Sequence, residues 1–274
     1  MIRVAKAHAY GNDFLYVQQT DVTGVDLPSL AREMCHRNTG IGADGLIIYA
    51  ATPVGASMRL FNADGSRAEV SGNGVRALGA LLGLRAGDGP LQLTIQTEGG
   101  IKHLTRLERD GNRQLFRASM GLPLNMHKTK LDVGGESLEA IVLNIGNPQL
   151  IVLGAIPDDE RFARLGAALE HHPYFPEGTN IEFVEVESPT QLRIRIWERG
   201  VGPTSSSGTG SCASLVAAAA FGGAARDAEI VAPGGAQRVE WTTESVYLTG
   251  WAEVLTDGEW LRPLPHQAAE RSGE

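Results

Sequence analysis

Apolar and polar positions alternate along this chain in short bursts separated by glycine, a rhythm of brief strands more than of long helices. Residues 3–4 and 14–18 read as a strand pair around the turn Tyr10-Gly11-Asn12-Asp13. Residues 27–36 carry helical spacing, and Asn38-Thr39-Gly40 supplies the stop. Apolar runs at 45–50 and 57–61 have strand length, a helix opens at Gly72 and ends between 83 and 87, and strands follow at 91–96, 101–108 and 114–119. Leu122-Pro123 marks a crossing, after which the order repeats: strands at 139–144 and 150–153, a helix at 158–169, and strands at 180–186 and 191–197. A second glycine-led helix comes next, then hairpin-like strands around 229–231, 237–241 and 245–248 and a polar tail, 267–274, expected to fray. Strands outnumber helices, so the expected class is α+β with two related halves, and not a doubly wound parallel sheet. The expected division is 1–120 with 262–274 as one half and 121–261 as the other.

The repeat is sharpest at the two glycine-led helices. Ser71-Gly72-Asn73-Gly74 opens one and Ser207-Gly208-Thr209-Gly210 opens the other, 136 residues later. A glycine-rich turn entering a helix presents bare N–H groups and the positive end of the helix dipole, which suits an anion. Two such starts at half-chain spacing can face one bound anion.

Composition narrows the partners. At 274 residues the chain has room for two domains, each large enough for its own core. Its net charge of −8 gives no electrostatic footprint for nucleic acid. The smoothest apolar stretch, 213–225, is too short to span a bilayer and is broken by Gly222-Gly223. The first six residues lack the apolar core of a signal peptide, and Cys35 and Cys212 make no disulfide framework. The expectation is a cytoplasmic protein with a small-molecule substrate and neither a nucleic-acid nor a membrane partner.

Asparagine recurs beside turns, in Gly11-Asn12-Asp13-Phe14, Phe61-Asn62-Ala63-Asp64-Gly65-Ser66, Asn144-Ile145-Gly146-Asn147-Pro148-Gln149 and Gly178-Thr179-Asn180. Trp197-Glu198-Arg199-Gly200 lies just upstream of the second glycine turn. An Arg with several amides can hold a carboxylate, and Glu198 can accept from an ammonium, so the set suits a zwitterionic amino acid. Asn beside Gly equally builds turns and nothing more.

These strings resemble the diaminopimelate epimerase family. The resemblance rests on residues 8–14 and 40–45, Phe61 to Ser66, Ser71-Gly72-Asn73-Gly74-Val75-Arg76, Gly146-Asn147-Pro148, Glu198-Arg199-Gly200-Val201-Gly202 and Gly208-Thr209-Gly210, in that order along most of the chain. It implies two pseudo-symmetric domains, each a central helix wrapped by mostly antiparallel strands, with the site between them. It implies an epimerase using neither pyridoxal phosphate nor metal, in which one cysteine thiolate removes an α-proton and a thiol on the opposite face returns one. Asn12, Asn62, Asn147, Asn180, Glu198 and Arg199 carry over as substrate residues, and Gly72, Asn73, Gly208 and Thr209 as the helix starts. A homodimer is an expectation of the resemblance alone.

The chain departs from the family where protons move. The two catalytic cysteine positions are Ser71 and Ser207, the site histidine is Gln149, and Pro203 stands where Glu follows Gly202. A helix start can lower a cysteine into the neutral range, whereas a serine hydroxyl lies far above it and ordinarily needs an adjacent base. Serine is also a preferred N-cap. The sequence therefore supports an isomerase acting at an amino-acid α-carbon, with LL- and meso-diaminopimelate the leading substrates. It leaves open a dehydratase acting on a hydroxyamino acid and a binding protein that keeps the cleft without turnover.

Overall fold

The computed structural model describes residues 1–265, so the expectation for the 267–274 tail lies outside the described residues. The first half runs β1 (Ile2–Ala9), β2 (Asn12–Gln18), α1 (Leu27–Cys35), β3 (Gly45–Thr52), β4 (Gly55–Asn62), β5 (Arg67–Ala68), α2 (Gly72–Arg85), β6 (Leu91–Thr97), β7 (Gly100–Asp110) and β8 (Arg113–Gly121). The second runs β9 (Leu124–Val133), β10 (Glu136–Asn144), β11 (Pro148–Leu153), α3 (Asp159–Glu170), β12 (Asn180–Ser188), β13 (Gln191–Glu198), β14 (Gly202–Thr204), α4 (Gly208–Ala217), β15 (Asp227–Ala232), β16 (Gly235–Trp241) and β17 (Val246–Trp260). A short π-helical turn, Ala218–Gly222, prolongs α4.

The halves share one wiring. A helix crosses over between each parallel pair: α1 between β2 and β3, α2 between β4 and β6, α3 between β11 and β12, and α4 between β13 and β15. The remaining pairings are antiparallel, and with the chain running on through β17 and from β8 into β9 they form two rings of strands that meet at the β8–β17 pair. β17 pairs with β8 through Val246 to Glu253, then runs on to pair with β1 from Glu253 to Trp260. The β8 strand turns at Gly121 into β9, which pairs antiparallel with β10 as the far end of β17 pairs with β1. One long strand, β17, and one strand-to-strand passage, β8 into β9, thus run from one half into the other.

Two features of this exchange escape the hydrophobic pattern. Residues 124–130 are mostly exposed, so β9 offers little apolar alternation for a reader of sequence to find. The far half of β17 is interrupted by the polar run Thr256-Asp257-Gly258-Glu259, and it extends twelve residues past the expected end at 248.

The helices sort into two kinds by composition. α1 and α3 are amphipathic and bury one face: Leu30 and Met34 against Leu15, Val17, Leu46 and Ile48, and Phe162, Leu165 and Leu169 against Leu150, Ile181 and Phe183. α2 and α4 sit inside the rings, where their apolar residues join one core; Asn73 and Arg76 of α2 and Thr209, Ser211 and Ser214 of α4 are buried with them. Every residue of α4 is buried.

Candidate active site

The site begins with the two central helices meeting head to head. A Cβ placed on Gly208 would lie 3.0 Å from the Gly72 Cα, and one placed on Gly72 would lie 3.1 Å from the Gly208 Cα. Only glycine lets the first residues of α2 and α4 approach this closely. Both positive helix ends therefore open onto one small gap of about 30 Å³, lined by Ser71 and Ser207 from the two halves. Ser71 Oγ accepts from Gly74 N at 3.1 Å, and Ser207 Oγ accepts from Gly210 N at 3.1 Å. The two serines are N-caps related by the internal repeat.

Outside this gap a cleft of about 560 Å³ opens toward solvent. Asn12, Asn147, Asn180 and Glu198 line both the gap and the cleft, while Asn62 and Arg199 line the cleft alone. Asn73 is buried and acts as a brace: its amide donates to Asn12 Oδ1 at 3.2 Å and to Ser206 O at 3.1 Å. Asn180 joins three segments, donating to Pro148 O at 2.9 Å and accepting from Arg199 N at 3.1 Å. Asn62 donates to Ser66 Oγ at 3.0 Å, within its own turn. Arg199 reaches across the cleft, with Nη2 3.3 Å from Glu69 Oε2, while Nη1 donates to Glu177 O at 3.2 Å.

One expected contact sits elsewhere. Gln149 is fully buried and lines neither space. With its amide turned to the orientation that its neighbours satisfy, the nitrogen donates to both Glu182 carboxyl oxygens, at 2.9 and 3.1 Å, and the carbonyl oxygen accepts from Thr209 Oγ1 at 3.2 Å. Thr209 lines the gap, and its hydroxyl lies between Gln149 and Ser207 Oγ, 3.5 Å from the latter. Gln149 opens a buried run, 149–151, in β11, and it pairs in register with Asn180 of β12.

The acid–base inventory of the gap is short. Glu198 is its one carboxylate, and no His, Lys or Cys lines it among the described residues. Burial pushes the Glu198 carboxyl up to about 7, opposed by the Thr204 hydroxyl, which donates at 2.9 Å, and assisted by the charge on Asp44. Glu182, enclosed beneath α4, is raised still more firmly by burial and by Glu198. Cys212 and Cys35 are both pushed up to about 12 by burial. His8 accepts from Gly11 N at 3.2 Å, stacks edge-on against Trp251, and does not line the cleft. No group of three or more His, Cys, Asp or Glu is disposed to hold a metal ion among the described residues. Nor is any helix among them long and apolar enough to cross a membrane.

Several cleft residues carried no sequence signal strong enough to single them out. Asp44 accepts from Asn12 Nδ2 at 2.8 Å and from Arg37 Nη2 at 2.7 Å, fixing the amide that braces Asn73. Glu69, Arg67 and Thr204 line the cleft from loops and short strands, where spacing says little. Asp44 alone was within reach, inside the recognised 40–45 segment.

Two ring-wrapped halves that bring a helix start apiece to one gap, with a candidate proton-transfer residue at each, define a protein of the racemase and epimerase class. The chain belongs to the diaminopimelate epimerase family: the family model for diaminopimelate epimerase matches residues 4–123 and 141–255. It is 38% identical to the diaminopimelate epimerase of Desulforudis audaxviator over 94% of this chain and 98% of that one. It is 39% identical to the Prochlorococcus marinus diaminopimelate epimerase over 96% of this chain and 94% of the other. A solved structure described as a probable proline racemase of Agrobacterium radiobacter superposes with a TM-score of 0.74 at 15% identity, covering 95% of this chain and 93% of its own. That likeness concerns the fold.

Proposed function

We propose that the chain is an isomerase acting at the α-carbon of an amino acid, with diaminopimelate its substrate, and that Ser71 and Ser207 leave it slow. The observation that carries this reading is the approach of Gly72 and Gly208, which aims two helix starts at one gap flanked by a hydroxyl from each half. The α-carboxylate sits across the helix starts, and Glu198 receives the ammonium. Asn62, Asn147, Asn180 and Arg199 face the rest of the ligand along the cleft. In the reaction the alkoxide form of one serine takes the Cα proton, the C–H electron pair spreads into the carboxylate as an enediolate, and the hydroxyl of the other serine gives a proton to the opposite face of Cα. The helix starts stabilise the charge as it grows on the carboxylate. Ser71 and Ser207 stand at the two faces, and neither has the adjacent base that normally activates a hydroxyl.

Binding without turnover is the second reading, supported by the caps: each serine oxygen already accepts a backbone hydrogen bond. Calorimetry with LL- and meso-diaminopimelate, beside a panel of other amino acids, tests the binding that both readings need. Saturable binding of diaminopimelate is the expected result. Failure of every amino acid to bind folded protein contradicts both.

A further inference from the structure

Behind the paired helix starts lies a guanidinium without a counterion. Arg76, in the second turn of α2, is fully buried. Its Nη2 donates to Asn73 Oδ1 and Gln237 Oε1, both at 2.6 Å, while Nε and Nη1 have no hydrogen-bond partner. Both acceptors are neutral amides. Burial lowers the guanidinium only to about 10, so it stays charged at neutral pH. No carboxylate forms an ion pair with Arg76 among the described residues: Asp44 pairs with Arg37, Glu69 pairs with Arg199, and Glu198, the carboxylate of the gap, accepts from the Thr204 hydroxyl. A buried charge left unpaired is costly, and a folded chain that keeps one is holding a positive potential in place.

Its position gives the potential a target. Arg76 Nη1 lies 3.4 Å from where a Gly208 Cβ would stand, directly under the α2–α4 junction. Asn73, which shares the Arg76 bond, is itself one of the residues lining the gap and braces Asn12 and Ser206 across it. Gln237 completes the cradle, donating to Ser206 Oγ at 3.1 Å. The two helix starts and the guanidinium are therefore three positive sources stacked behind one small opening.

We propose that Arg76 is a positioning residue whose uncompensated charge reserves the gap between the two helix starts for a carboxylate, the ligand supplying the counterion that the fold withholds. The inference rests on the reading that the gap receives the α-carboxylate of an amino acid. It adds that the free protein is under electrostatic strain that the ligand relieves. The strain is chain-encoded: a carboxylate at 237 would remove it, and the chain has an amide there.

The test uses the full-length protein and three variants. Arg76→Met removes the charge, Arg76→Lys keeps it, and Gln237→Glu leaves the guanidinium but pairs it at 2.6 Å. For each, calorimetry measures the affinity for LL-diaminopimelate, and thermal melting is followed with and without that ligand. Arg76→Met and Gln237→Glu are expected to weaken binding at least roughly tenfold, and Arg76→Lys by much less. Gln237→Glu is further expected to melt no lower than the parent when free, with a smaller ligand-induced rise. A merely structural Arg76 gives the opposite pattern: Gln237→Glu and Arg76→Met melt lower with unchanged affinity, and that result overturns the proposal. Absence of binding in the parent is a separate failure, of the substrate reading. The proposal then stands if Gln237→Glu melts no lower than the parent when free, and falls if it melts lower. Should Arg76→Met fail to fold, Gln237→Glu carries both readouts.

Discussion

Each cleft serine spends its oxygen on a cap. Removing Ser207 Oγ by alanine exposes Gly210 N, a loss of about 1 kcal/mol on the usual scale for an N-cap. Replacing both serines with cysteine keeps an atom at each helix start and adds a group that those starts can ionise near neutrality. Ser71→Cys with Ser207→Cys is therefore expected to raise α-proton exchange at least roughly tenfold over the parent; equal rates would place the limit at Gln149 or Pro203. Glu198 makes a second prediction at this scale. Its carboxyl stands at about 7 in the fold against a reference of 4.5, so its contribution to stability is complete below 4.5 and is lost as the pH rises through about 7. The loss should be on the order of 1–3 kcal/mol and should shrink in Glu198→Gln, measured by denaturant unfolding across pH. Ligand binding should move the other way, strengthening through pH 7 as the carboxylate forms for the ammonium. Glu198 and the serines were legible because they sit in contiguous motifs. The burial of Gln149 was not, because it depends on how β11 is covered and on a partner, Glu182, that lies 33 positions away.

At the scale of the element, the α2–α4 junction decides whether there is a site at all. Gly208→Ala would put its Cβ 3.0 Å from a backbone atom of Gly72, and neither helix can move far inside its ring. The expected outcome is a loss of roughly 1–3 kcal/mol in stability together with loss of amino-acid binding. A variant that binds normally would show that the helix starts need not touch. Arg199→Ala should separate these effects: its pair with Glu69 is 3.3 Å and partly exposed, so stability should change by less than about 1 kcal/mol while ligand affinity falls at least roughly tenfold. The glycine-led helices announced themselves in sequence, since Ser-Gly-x-Gly before an apolar run is both a cap and a dipole end. β9 did not, because Asn125, His127, Lys128 and Lys130 hold their places through backbone pairing with β10 and bury little.

Across the whole molecule, two rings joined by exchanged strands hold the helix starts in register. β17 passes from its pairing with β8 to its pairing with β1 at Glu253, and the chain leaves β8 at Gly121 to pair with β10 as β9, so the halves cannot separate without unzipping both. We take the boundary between halves to fall near residue 121, where β8 turns into β9. The internal repeat foretold two like halves; the closure of the first ring depends on pairings between residues more than 200 positions apart, such as Ile2 with Trp260, and the join between the rings on pairings more than 100 apart, which no local pattern encodes. The claim that unites the scales is that the gap holds an amino-acid α-carbon between two proton-transfer faces. The most direct measurement is solvent-deuterium incorporation, with the protein in D₂O beside LL- and meso-diaminopimelate and a panel of amino and hydroxyamino acids, followed by NMR at the α-proton. Slow exchange confined to diaminopimelate, accelerated by the paired cysteine substitutions, is the predicted result. No exchange with any compound, from protein that binds diaminopimelate, would contradict it and leave a binding protein in the place of an isomerase.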